Sequence, residues 1–180
     1  MSVKLNDKFP EVAVASVSVA NTTATAISPS LVIPKGKLTP GAQVRLKASG
    51  LITTAGSGTG TLKFDIMGGA SGSEAAVLTS TTGTLTVSKT SLGWELEAMI
   101  TFRVITRDVS GTLTSGAFAG MMKYFGNDHA STEILKDVVR CVDTAMDTEV
   151  ENTFYLRATL SAGAADNFIT CEQAAWEMSV

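Results

Sequence analysis

The sequence has little cysteine, few aromatic residues, a single histidine and no long apolar run. Its two cysteines, Cys141 and Cys171, are too few for a disulfide scaffold and lack the spacing of a metal site. We expect both to be reduced and buried, although a single bridge between adjacent strands is compatible with the sequence. The first ten residues, MSVKLNDKFP, carry charges where a signal peptide needs an apolar stretch, and no window approaches the roughly 20 apolar residues of a membrane span. We therefore expect no membrane partner.

An excess of positive charge is also missing. Lys and Arg number 14 against 17 Asp and Glu, which gives a formal net charge of -3. Because there is no broad basic field to attract phosphate groups, the composition argues against a nucleic-acid partner. Much of the chain is Ala, Val, Leu, Ile, Thr, Ser and Gly, with aromatic residues at only 6%. Small and β-branched residues fit the pleated, half-buried surface of a sheet and favour strands over helices.

The longest regular pattern is GWELEAMITFRVITRD, from Gly93 to Asp108. Apolar residues fill alternate positions, which predicts a long β-strand with one buried face. We expect its core residues to be Trp94, Leu96, Ile100 and Phe102. Similar alternation recurs in about eight or nine segments after residue 40, without a βαβ rhythm. The sequence thus predicts an all-β fold, an antiparallel β-sandwich of jelly-roll type with an extended N-terminal arm.

Three stretches have less regular patterns. Two short strands are predicted at about 75–79 and 84–88. The stretch STEILKDVVRCV has apolar residues at helix-like spacing after Ser131, but its β surroundings favour a strand centred on Val138 to Val142. The last strand, NFITCEQAAWEMSV, changes phase after Cys171, which predicts a β-bulge near Glu172 or Gln173.

The first forty residues differ from the rest of the chain. VAVASVSVANTTATAIS alternates weakly, carries almost no charge, and is followed by three prolines at 29, 34 and 40. We expect residues 1–40 to form an arm and residues 41–180 to form the β-sandwich domain, the alternative being that residues 1–40 are a mobile tail. Backbone groups of such an arm need partners from outside it. We expect it to contact another subunit or a larger surface through Val12, Val14, Val17, Val19 and Ile27.

One pair of carboxylates could do chemistry. Glu95 and Glu97 point to the same face of the long strand, and paired carboxylates are the catalytic groups of many glycosidases. A glycosidase also needs an aromatic cleft for its sugar, and the chain has only two Trp and two Tyr. We therefore expect this pair to be solvated or to face another subunit.

The remaining candidates are weaker. His129 follows Asp128, as in half of a catalytic triad, but no nucleophile motif accompanies them. The acidic stretch DTAMDTEVE lacks the spacing and turn glycine of a calcium loop, and Gly56, Gly58 and Gly60 lack the Lys of a phosphate loop. We expect no catalytic residue, no metal site and no cofactor, and we interpret the acidic stretch as a solvated loop or docking surface, with carboxylates at Asp143, Asp147, Glu149 and Glu151.

Several motifs resemble those of small structural proteins of tailed bacteriophages. The segment GAQVRLKASGLITT matches this group at Gly41, Val44, Leu46, Ala48, Gly50, Ile52 and Thr53. The strand GWELEAMITFR matches at Trp94, Leu96, Glu97, Ala98, Ile100, Thr101 and Arg103, and the final strand at Asn167, Ile169, Thr170 and Cys171. The group often has proline where this chain has Gly93, and MMKYFGNDHASTEILKD is an insertion. The first forty residues are not matched.

The resemblance implies a virion component, assembled in the host cytoplasm, whose shared motifs contain no catalytic residue. From it we expect a non-enzymatic capsid decoration or cement protein on the surface of the head. Such a protein is a β-sandwich knob that forms a homo-oligomer, here expected to be a trimer, and binds the major capsid protein through its arm. The alternative is a tail or fibre component that contacts a host receptor.

Overall fold

A computed structural model describes residues 12–13, 23–54, 60–85, 87–107, 113–126, 137–142, 146–161 and 167–179. All regular secondary structure in these ranges is β-strand, which confirms the all-β prediction. The strands are β1 (Val12–Ala13), β2 (Thr25–Ala26), β3 (Leu31–Ile33), β4 (Gln43–Thr54), β5 (Thr61–Ala70), β6 (Ala75–Thr84), β7 (Lys89–Arg107), β8 (Leu113–Gly126), β9 (Asp137–Val142), β10 (Asn152–Leu160) and β11 (Phe168–Ser179). These residues include no helix with the length and apolar character needed to cross a membrane.

The strands form two antiparallel sheets. Sheet A has the order β1-β11-β4-β7-β8-β9, and sheet B has the order β2-β10-β5-β6, with β3 also paired to β10. The paired strands are nested along the chain: β1 with β11, β2 and β3 with β10, β4 with β7, and β5 with β6. This nesting is jelly-roll topology, and β8 with β9 extends sheet A beyond it. The predicted jelly-roll sandwich is therefore confirmed.

The core lies between the sheets and depends on the inward face of β7. The expected core residues of β7, Trp94, Leu96, Ile100 and Phe102, are all buried. The ring centroids of Trp94 and Phe64 in sheet B are 5.1 Å apart, and those of Phe102 and Phe154 are 6.4 Å apart. Each large side chain buried in this way stabilises the fold by roughly 1.5–3 kcal/mol.

A close contact at Gly50 links three strands of sheet A. Gly50 in β4 pairs with Trp94 in β7 on one side and with Cys171 in β11 on the other. The Trp94 indole lies across β4, and its Nε1–H donates to the backbone carbonyl oxygen of Thr170 at 2.9 Å. A Cβ atom added at Gly50 would lie 1.9 Å from that oxygen and 2.9 Å from Nε1. Only glycine leaves room for this hydrogen bond.

We therefore expect Gly50→Ala to lower the free energy of unfolding by at least about 2 kcal/mol, because it displaces the indole or the β11 backbone and breaks a buried hydrogen bond. Gly93→Ala is the matched control, since no atom lies within 4 Å of a Cβ added there. Its effect should stay within about 0.5 kcal/mol. Urea unfolding of both variants measures the difference, and equal stabilities would show that Gly50 does not have this role.

A register shift between Cys171 and Gln173 confirms the predicted bulge, and β9 confirms a strand at 138–142 in place of a helix. The prediction of two separate strands at 75–79 and 84–88 was wrong. The single strand β6 runs from Ala75 to Thr84, because pairing with β5 continues along this stretch.

Residues 23–40, assigned to the arm by sequence, belong to the sandwich and contribute four side chains to its core. Ile27 is fully buried, and it shares the core with the buried side chains of Leu31, Ile33 and Leu38. The interpretation of Ile27 as a contact to another subunit therefore needs correction, because its side chain lies in the core of its own chain. Val14, Val17 and Val19 lie outside the described residues.

Hydrogen bonds hold this segment along the edge of sheet B. Ile27 N–H donates to the Leu156 carbonyl, and Leu156 N–H donates to the Ser28 hydroxyl, each at 2.8 Å. The Trp176 indole donates to the Pro29 carbonyl at 2.9 Å. Pro29 thus stands in the break between β2 and β3, at a sheet edge, where a missing N–H is tolerated. The prolines exclude only a central strand, and they are compatible with an edge strand.

We expect a fragment that begins at Gly41 to lose its fold, in contrast to the expectation from sequence. It lacks four buried aliphatic side chains worth roughly 1.5–3 kcal/mol each, and a whole domain is stable by only about 5–15 kcal/mol. A fragment of residues 23–180 keeps these side chains and is the control. Circular dichroism and urea unfolding of the two fragments test this expectation, and a cooperatively folded 41–180 fragment would restore the boundary at Gly41.

Candidate interaction surface

The outer face of sheet A carries a groove built by the alternation of three strands. One row across the three strands consists of Glu177 of β11, Arg45 of β4 and Met99 of β7. The next row, in the same strand order, consists of Ala175, Lys47 and Glu97. These side chains point away from the core because their chain neighbours point into it. The cavity has a volume of about 480 Å³, and we call it the sheet A groove, lined by Arg45, Leu46, Lys47, Glu97, Ala98, Met99, Ala175 and Glu177.

The charges of the sheet A groove are only partly paired. Lys47 Nζ lies 3.2 Å from Glu97 Oε1, in an exposed ion pair of the kind that contributes at most about 1 kcal/mol. Arg45 Nη2 donates to Gln43 Oε1, a neutral group, at 2.8 Å. Within the part of the chain that the structure describes, neither Arg45 nor Glu177 has an ion-pair partner. The groove therefore has charges of both signs available to a binding partner.

The carboxylate pair considered for glycosidase chemistry lies on this same outer face. Glu95 and Glu97 are both exposed, which agrees with the interpretation as a solvated pair. Glu97 is engaged with Lys47, and neither residue has the apolar, enclosed surroundings with which a glycosidase tunes its acid. The positions of Glu95 and Glu97 therefore do not match those of a catalytic acid and base pair.

The outer face of sheet B holds a buried carboxylate that the sequence analysis missed. Asp65 of β5 is fully buried. Arg157 of β10 donates to its Oδ2 from Nε at 3.2 Å and from Nη2 at 2.8 Å. The Thr79 hydroxyl of β6 donates to Oδ1 at 2.7 Å, and Lys63 Nζ lies 3.2 Å from the same oxygen. Asp65 thus connects the three neighbouring strands of sheet B.

Two opposing effects act on the pKa of Asp65. Burial by itself raises this pKa, but hydrogen bonds from Arg157, Thr79 and Lys63 outweigh burial and hold the pKa below its ordinary value of 3.8. Because the pKa is lower in the folded chain than in the unfolded chain, the ionised carboxylate stabilises the fold at pH values above 3.8. This contribution is lost as the pH falls through the folded-state pKa.

We expect Asp65→Asn to lower the free energy of unfolding at pH 7 by about 2 kcal/mol. The cost stays below that of a fully buried pair because Arg157 and Lys63 keep some access to water. The difference from the wild type should shrink as the pH falls below 3.8, where the native carboxyl also becomes protonated. Urea unfolding between pH 7 and low pH measures this, with the exposed Glu95→Gln as the control. A difference that does not change with pH would contradict the assigned role.

The acidic stretch is described only from Met146 onward, so Asp143 lies outside the described residues. The Asp147 side chain accepts the Glu149 N–H at 2.8 Å, and the Asn152 side chain donates to the carbonyls of Asp147 and Val150 at 2.7 and 3.0 Å. All three hydrogen bonds lie within residues 147–152, so the polar groups of this loop bind one another. Among residues whose positions are described, no group of three or more His, Cys, Asp or Glu side chains is placed to hold a metal ion.

Several other candidates fall outside the described ranges. They are Asp128 and His129, Gly56 and Gly58, and the side chain of Cys141. Gly60 precedes β5, and its carbonyl accepts the Leu85 N–H at 2.7 Å, which extends the pairing of β5 with β6 beyond Thr61 and Thr84. Val12 pairs through its backbone with Ala174 at the edge of sheet A.

Cys171 is free and buried, as expected. Its thiol donates to the Gln173 carbonyl at 3.3 Å, inside the bulge of β11. Burial raises the pKa of Cys171 to about 11, which keeps the side chain protonated at neutral pH and makes it a poor nucleophile. Cys171 is therefore a small core residue.

No family model matches the chain, and no curated protein matches it. Among solved structures, the chain is similar to the CBM2 module of the evolved Dit of Lactobacillus casei BL23 phage J-1. The sequence identity is 8% and the TM-score is 0.38, over 83% of this chain and 68% of the other. A likeness this distant supports no conclusion about function or partners.

Proposed function

We propose that the protein is a structural component of a tailed-bacteriophage virion, and specifically a capsid decoration or cement protein on the surface of the head. The resemblance of its motifs to phage structural proteins supports the virion role. Most apolar residues of these motifs are buried, and Gly50 provides the space for Trp94. The shared residues thus build a scaffold, as expected for a group of proteins related by architecture.

The observation that carries the cement role is the attachment of the N-terminal strands to the edges of both sheets. β1 pairs with β11 at the edge of sheet A, and β2 pairs with β10 at the edge of sheet B. Residues 14–22, which include Val14, Val17 and Val19, connect these two edges. Sheet edges are where a strand of another protein can be added, so this side of the sandwich is suited to binding a shell.

The proposed partners are the major capsid protein and further copies of this chain, in a trimer. A decoration protein that contacts several neighbours at once sums many modest contacts and needs no deep pocket. The proposed role is non-enzymatic and uses neither a cofactor, nor nucleic acid, nor a membrane. The open position of Glu95 and Glu97 is consistent with such a role.

Deletion of residues 1–22 is the test, because residues 23–40 belong to the core. We expect the shortened protein to fold but to bind empty shells at least tenfold more weakly, which corresponds to about 1.4 kcal/mol. In the proposed role the lost binding comes from residues 14–22, which would contact the shell through Val14, Val17 and Val19. Co-sedimentation of purified shells with each protein gives the binding constants.

Deletion of residues 1–11 is the matched control, since it keeps Val12, Val14, Val17 and Val19 and should leave shell binding unchanged. Equal binding by the full chain and the 23–180 fragment would show that residues 1–22 do not contribute to shell binding. Labelling of this protein on the tail of intact virions would favour the tail or fibre alternative.

A further inference from the structure

We draw no further inference here: the strongest candidate, the sheet A groove on the outer face of β4, β7 and β11, has two of its four charges, Lys47 and Glu97, already paired with each other, and nothing in the residues that the structure describes shows what covers it.

Discussion

The bond from the Trp94 indole to the Thr170 carbonyl, made across Gly50, is the constraint on which the rest of the sandwich depends. It joins β7 to β11 over the intervening β4 and so adds a side-chain bond to the backbone pairing of these three neighbouring strands of sheet A. The same indole packs on Phe64 of sheet B and thereby sets where the two sheets meet. A single side chain thus makes contacts both within sheet A and between the two sheets, and the absence of a side chain at residue 50 leaves room for it.

Sequence reasoning succeeded where information is local. The period of two along Trp94 to Phe102 predicted which face of β7 is buried, and the phase change after Cys171 predicted the bulge in β11. It failed where a contact depends on a residue that is distant in sequence. The buried carboxylate of Asp65 was missed, because nothing near it in sequence indicates that Arg157 lies opposite on β10. The groove was missed for the same reason, since its rows combine residues from three strands.

The N-terminal boundary shows how topology overrides composition. In a nested arrangement the first strands must pair with the last, so residues 25–33 find their partner in β10, more than a hundred residues later. Their small side chains and prolines looked unsuited to a core, yet Ile27, Leu31 and Ile33 fill one edge of it. Contacts this distant in sequence close late and slowly during folding. Residues 25–33 accordingly belong to the sandwich, on the N-terminal side of the boundary that composition alone indicated.

The two outer faces of the sandwich have similar alternating sequences but different consequences. On sheet B, Asp65 gathers Lys63, Thr79 and Arg157 around itself, so the central charges of that face satisfy one another. On sheet A, Arg45 and Glu177 are neighbours in register without forming an ion pair. A face whose charges are internally paired gains little from a partner, because binding must first break those pairs. Arg45 and Glu177 can gain charge-assisted hydrogen bonds from a partner without that cost, and for this reason the outer face of sheet A is better suited to a charged partner than that of sheet B.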